Sequence, residues 1–140
     1  MFITRATRHD KDDLRELLES HGWDANVDEG TAFIAREGKI VGCVRLVELE
    51  PQTLVIDDVL VREDRRREGV ATRLMQTVMN SRRGTMYLCC HKEVTPFYQR
   101  FGFNELPIEK APESAVAYWR RVGAYPPPDC GHEHCFMKAR

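Results

Sequence analysis

Three groups of residues in this 140-residue chain have types and spacings suited to chemistry. The first is Arg65-Arg66-Arg67-Glu68-Gly69-Val70-Ala71-Thr72, between an apolar run (Leu54 to Val61) and a four-residue repeat, Val70, Leu74 and Val78, with Met75 beside it. That repeat predicts a helix starting at the turn. A helix N-terminus offers free backbone N–H groups and the positive end of a dipole. Gly69 lets the backbone approach a ligand and Ala71 is too small to block it, while the arginines add fixed charge and Thr72 a hydroxyl. The combination suits a phosphate or pyrophosphate group. A charge run between elements is otherwise a solvated turn; the adjoining glycine and helix start favour the phosphate reading.

The second group is Asp57-Asp58, an acidic pair inside the apolar run. Strand alternation puts Asp57, Val59 and Val61 on one face and Asp58 on the other. A carboxylate there is suited to holding an ammonium and taking its proton, directly or through water; the plainer reading is a pair that ends a strand against nearby arginines. The third group is Cys130-Gly131-His132-Glu133-His134-Cys135. Cysteine and histidine are zinc ligands, but this spacing is tighter than a zinc-finger arrangement and alternate strand residues face opposite ways. The cluster therefore reads as a loop entering the last strand, with no metal assigned. Cys89-Cys90 reads as a buried strand pair.

The elements that must position these groups follow from periodicity and punctuation. Phe2 to Ala6 reads as a strand, and His9 to Asp13 opens a helix whose stripe is Leu14, Leu17 and Leu18. Ser20 to Gly30 is short and polar, with room for a turn or two. Thr31 to Arg36 and Lys39 to Glu50 flank a hairpin turn at Glu37-Gly38. Pro51-Gln52 leads into the Leu54 strand; Ser81-Arg82-Arg83-Gly84 closes the central helix, with glycine as its stop. Thr85 to Cys90 is the next strand. Thr95 is placed to cap a helix with Pro96 at its first position, running to Phe101. Phe103 to Leu106 begins another strand, Glu113 to Arg121 a short helix with Ala117 and Tyr118 or Trp119 inward, and Cys135 to Lys138 a last strand.

Composition narrows the class. The length fits one domain over 1–140 with a substantial core. A formal net charge of −1 gives no case for nucleic acid or an anionic membrane as partner. No apolar run approaches membrane-spanning length, and the first residues lack a signal-peptide core. The expected location is cytoplasmic, where five cysteines are thiols or ligands rather than a disulfide frame.

Arg66-x-x-Gly69-x-Ala71 after an apolar strand resembles the acetyl-CoA loop of the GNAT family of N-acetyltransferases, and Pro96-Phe97-Tyr98-Gln99-Arg100-Phe101-Gly102-Phe103 resembles that family's second signature, in the expected order. The resemblance spans roughly residues 53–106, the cofactor half. It implies a mixed α/β fold, with a mostly antiparallel central sheet splayed at the cofactor site and helices on both faces, in keeping with the strand–helix alternation. It implies acetyl-CoA as acyl donor, contacted by the backbones of Val59, Leu60 and Val61 and by Arg66, Arg67, Glu68, Gly69, Val70, Ala71 and Thr72. It places Tyr98 as the general acid for the leaving thiolate, Asp57 as the leading base or amine binder and Asp58 as the second. His91 stands where the family often has asparagine, and Val55 where histone-directed members carry a glutamate base, so a histone-type mechanism is not expected. The implied activity is transfer of acetyl to a primary amine, either a small amine or polyamine or a peptide amine, by direct attack. A homodimer through an exposed edge strand is compatible. Two rivals are a non-catalytic acyl-CoA-binding regulatory module and a structural domain with a metal-bound C-terminal cluster.

Overall fold

The computed structural model describes residues 1–23 and 27–139. The chain forms β1 (Phe2–Arg5), α1 (Lys11–Ser20), β2 (Thr31–Glu37), β3 (Lys39–Glu50), β4 (Thr53–Val61), α2 (Val70–Ser81), β5 (Thr85–His91), α3 (Thr95–Gln99), β6 (Asn104–Leu106), α4 (Glu113–Arg121) and β7 (His134–Ala139), with short 3-10 turns between several of them. The result is a mixed α/β fold on an open seven-stranded sheet in the order β1-β2-β3-β4-β5-β7-β6. It is mostly antiparallel; β4 and β5 pair in parallel over three residue pairs, Thr53↔Thr85 to Val55↔Tyr87. No helix among the described residues is long and apolar enough to cross a membrane.

The chain divides into two compact units. The first holds Met1–Val47 and Ile56–Arg82. The leucines of α1 (Leu14, Leu17, Leu18) bury against Ile34, Ile40, Cys43 and Leu60. The start of α1 is fixed by a capping box on the preceding 3-10 turn, with Thr7 accepting from the His9 N–H and Asp10 from the Thr7 N–H. The Thr7 N–H, with the Arg36 guanidinium 2.8 Å away, holds the Asp10 carboxyl below its usual range. Successive β3 residues face opposite ways: Cys43 joins the α1 cluster, while a Cβ on Gly42 would stand 3.1 Å from Val70 and Leu74 of α2. Glycine therefore lets α2 lie close on β3, and α1 and α2 occupy opposite faces of that strand.

The second unit holds Glu48–Val55 and Arg83–Arg140. Its centre is Trp119, Phe103, Leu88 and Met137, all 2 % exposed or less, with Trp119 and Phe136 rings 4.5 Å apart. Strand β7 pairs with β5 on one side and β6 on the other. Gly84, at φ +141°, lies so close to Gln52 that a Cβ would meet its backbone at 2.7 Å.

The hairpin at Gly38 (φ +74°) forms as the sequence indicates. Other expectations need correction. Thr95 is the first residue of α3 rather than its cap: its hydroxyl donates to the Lys92 carbonyl at 2.9 Å, because a 3-10 turn already leads into the helix. Helix α3 ends at Gln99, not Phe101. In α4 the inward small residue is Ala115; Ala117 is exposed, since Tyr118 and Trp119 set the buried face and Ala115 lies a turn behind them. Helix α2 stops at Ser81, whose hydroxyl donates to the Val78 carbonyl, and Gly84 serves the Gln52 approach rather than the helix end. The expected turn in Ser20–Gly30 falls partly on residues 24–26, outside the described residues; around them lie a turn at His21–Gly22 and bends at Asp28–Gly30.

Candidate active site

In the first unit, chemistry concentrates at the end of β4. Arg45 of β3, 6 % exposed, places a guanidinium nitrogen 2.7 Å from the Asp58 carboxylate and 3.6 Å from that of Asp57. Strict alternation would have separated the two acids. It fails because Asp58 has φ +53°, with its N–H donating to the Asp57 carboxylate at 2.9 Å. The local kink brings both side chains to one cation. Asp58 is the more enclosed, at 15 % side-chain exposure against 33 % for Asp57. Burial first, then the adjacent Asp57 charge, push the Asp58 carboxyl up to about 6, with Arg45 pulling against them. A carboxylate in that range is proton-loaded or proton-free around neutral pH, as a general base requires. The sequence put Asp57 first of the two acids; it is the Asp58 carboxyl that its surroundings raise, a distinction invisible until Arg45 is placed. The Cys43 thiol, 3.4 Å from the Asp58 carbonyl, is pushed by burial up to about 12 and stays a neutral donor.

Beyond Val61 the chain makes a 3-10 turn over Glu63–Arg65, extends at Arg66, turns left-handed at Arg67 (φ +68°) and Gly69 (φ +80°), and enters α2. Among the described residues no side-chain cap bond is made at the start of α2 and its first turn holds no acid, the condition an anion site at a helix N-terminus requires. A Cβ on Gly69 would meet nothing within 4 Å, so the approach to this helix end is open. The three arginines do different work. Arg65 is taken up by Glu37 and Glu68, each at 2.9 Å, which raise its basicity further. The carboxylate of Glu68 is thereby a loop brace. Arg66 donates to the Val61 carbonyl at 3.1 Å, tying the turn to the strand end, and Arg67 is exposed. Leu60, Val61 and Val70 are buried, Val59, Ala71 and Thr72 half-buried; the backbones of this stretch are what the turn presents.

In the second unit, Tyr98 lies on α3 with 9 % exposure, its ring 5.1 Å from Phe97 and 6.1 Å from Phe103 in edge-on contact. Its carbonyl accepts from the Phe101 and Phe103 N–H groups, at 3.0 and 3.3 Å, around Gly102 (φ +90°). The motif thus forms a tight helix-to-strand turn, with the Tyr98 ring in edge-on contact with Phe97 and Phe103.

Elsewhere in this unit strand pairing enlarges the Cys130–Cys135 group that the sequence singled out. β5 and β7 pair with His91 opposite His134 and Cys90 opposite Cys135. Cys130 Sγ lies 3.1 Å from His134 Nε2 and 4.0 Å from His91 Nε2. Glu93 stands 2.8 Å from His132 Nδ1 and 3.6 Å from His91 Nδ1, and the His91 and His132 rings stack at 4.4 Å. Alternation holds here: Cys135 faces Cys90, with sulfurs 3.8 Å apart, away from the histidines. Burial lowers the His134 imidazole, helped by His91 and His132, and raises the Cys135 thiol. The overlooked signal was His91, forty residues from the others in sequence and brought in by strand pairing.

Comparison with known proteins assigns the fold. An acetyltransferase (GNAT) domain family matches residues 28–105, more than half of the chain. No curated protein matches it in sequence. Among solved structures, a GNAT-family acetyltransferase from Staphylococcus aureus aligns with a TM-score of 0.71 at 17 % identity, covering 98 % of this chain and 96 % of its own. An aminoglycoside 6'-N-acetyltransferase complexed with coenzyme A aligns at 0.72 and 17 % identity, with 99 % and 96 % covered. Escherichia coli ElaA aligns at 0.72 and 17 %, with 99 % of each chain covered. With the strand–turn–helix above lying inside the matched span, the chain belongs to the GNAT acetyltransferase family.

Proposed function

We propose that the protein transfers an acetyl group from acetyl-CoA to a primary amine, a small amine or polyamine or a peptide amine, by direct attack. The observation that carries this is the single β4–α2 segment, which holds a half-buried carboxylate raised to about 6 at Asp58 and, a short turn later, the open and uncapped helix end at Gly69. The relatives complexed with coenzyme A support the donor.

In this reading the N–H groups of Val70, Ala71 and Thr72 and the charge of Arg66 and Arg67 hold the pyrophosphate, with the Glu68 backbone in the same turn. The backbones of Val59, Leu60 and Val61 hold the pantetheine chain and polarise the thioester carbonyl. Asp57, the more exposed acid, receives the acceptor ammonium. Asp58 takes a proton from it, directly or through water, and the free amine attacks the carbonyl carbon. The C–N bond forms as the C–S bond breaks, and Tyr98 protonates the departing thiolate.

Two measurements test it. Titration calorimetry with acetyl-CoA should show binding that an Arg66→Glu, Gly69→Glu double variant weakens at least about tenfold, or ~1.4 kcal/mol, because two carboxylates then face the phosphates. Unchanged binding by the variant would place the cofactor elsewhere. For Tyr98→Phe, cofactor affinity should be kept while turnover falls by roughly 10²–10⁴; full turnover in that variant removes Tyr98 from the mechanism. Binding without turnover by any amine would instead favour an acyl-CoA-sensing module.

A further inference from the structure

We propose that His91, Cys130 and His134, all in the second unit, form a binding site for a zinc-like divalent metal ion. Three donor atoms, one ring nitrogen from each histidine and the Cys130 thiol Sγ, converge from two parts of the chain so that all lie within 4.8 Å of one another. A tetrahedral zinc with metal–nitrogen bonds near 2.0 Å and a metal–sulfur bond near 2.3 Å sets donor–donor separations of roughly 3.3–3.7 Å. The observed sulfur–nitrogen distances, 3.1 and 4.0 Å, bracket that range, so small side-chain rotations bring both nitrogens to bonding distance. The donor set, soft sulfur with borderline nitrogen, selects zinc, cobalt or copper over calcium or magnesium.

The surroundings fit as well. Glu93 faces the other ring nitrogen of His91, Nδ1, at 3.6 Å. A negative charge on that side favours the tautomer with its proton on Nδ1 and Nε2 free for the ion, and a carboxylate is the outer-shell partner common at histidine–metal sites. His132 stacks flat on His91 and meets the same Glu93 carboxylate at 2.8 Å, bracing the ring from its face. The Lys92 N–H donates to the Glu133 carbonyl at 2.8 Å, so the loop carrying Cys130 and His132 is already pinned beside β5. On binding, the Cys130 thiol gives its proton to solvent and the sulfur bonds the metal as thiolate. Three protein ligands leave a fourth position for water or an added ligand. The ion would lock the 122–133 loop onto the paired ends of β5 and β7.

The test is equilibrium dialysis of the purified chain with zinc and, separately, cobalt, followed by elemental analysis and absorption spectroscopy. The expected result is one ion per chain, with a thiolate-to-cobalt charge-transfer band of one-sulfur intensity. Cys130→Ser should remove that band and weaken zinc by roughly 100-fold, the upper end of what loss of even an outer-shell partner does. His134→Gln should weaken zinc similarly. Cys135→Ser, altering the neighbouring thiol that faces away, should keep the ion and the band. Chelation should lower the melting temperature of the parent chain and leave that of Cys130→Ser unmoved, a readout independent of catalysis. No stoichiometric metal in the parent chain overturns the proposal, as does a cobalt spectrum lost with Cys135→Ser and kept with Cys130→Ser.

Discussion

Asparagine at position 58 is expected to reduce kcat/KM by roughly 10²–10⁴, the usual worth of a positioned general base, and to erase the acid limb of the pH profile. The parent enzyme should lose activity as pH falls through about 6, where the half-buried Asp58 carboxyl takes up its proton. An amide at that position keeps the shape and removes the titration, so the variant's residual rate should be flat across that window. Asp57→Asn should instead raise KM for the amine and keep a limb, shifted to lower pH because the neighbouring charge that lifts Asp58 is gone. A parent profile that is flat through pH 6, or a limb that survives in Asp58→Asn, takes the proton-accepting role away from Asp58.

The same group sets a stability trend. Its folded pKa, about 6, stands above the ordinary 3.8, so the folded chain binds the extra proton between those values. Asp58's contribution is therefore most favourable below about pH 4 and declines as pH rises through about 6, by up to ~3 kcal/mol at 1.36 kcal/mol per unit. In the proposed mechanism the charged form is the one that takes up the amine's proton, and such a cost is common at active sites.

The second large effect is structural. Gly84→Ala is expected to cost about 2–4 kcal/mol and lower the melting temperature by roughly 5–15 °C. Two penalties combine at that position: a φ of +141° that side chains rarely adopt, and a Cβ 2.7 Å from the Gln52 backbone, which cannot swing aside as a side chain could. Gln52 is itself at φ +65° and its carbonyl accepts the Thr85 N–H at 2.8 Å, so moving it would also disturb the start of β5. Gly102→Ala separates the two penalties. It has φ +90° but open space around its Cβ, so it should lose only the backbone part, about 1 kcal/mol. Equal melting temperatures for the two variants would show that the Gln52 approach carries no cost.

Much of this was legible in the sequence because it rests on local rules. The strand–turn–helix from Leu54 to Met79 follows from periodicity and one glycine, and the element order from hydrophobic pattern and turn residues. What was hidden rests on pairing between distant residues. Nothing near Asp57 or Asp58 in sequence announces Arg45, yet Arg45 and the kink at Asp58 decide which acid titrates near neutrality. Arg65 reads as part of a cationic cradle until Glu37, on the far side of a hairpin, claims it. His91 has no evident role until β7 comes alongside β5. Ala117 reads as inward but lies on the exposed face, two residues from the buried Ala115, because a nine-residue helix shows too little pattern to fix its inward face.

The position of β7 also constrains how the second unit is made. β7 lies between β5 and β6 but comes last in the chain, after α4 and the 122–133 loop. As a polypeptide emerges from the ribosome from its N-terminal end, β5 and β6 appear first, each with an edge that only β7 can fill. Until then β5 lacks one of its two neighbours and β6 its one partner, which leaves open strand edges of the kind that recruit other chains. The Trp119–Phe136 contact must wait for the same residues. This half of the molecule is thus vulnerable during synthesis in a way the finished protein is not, and a stop codon anywhere before His134 would make that vulnerability permanent.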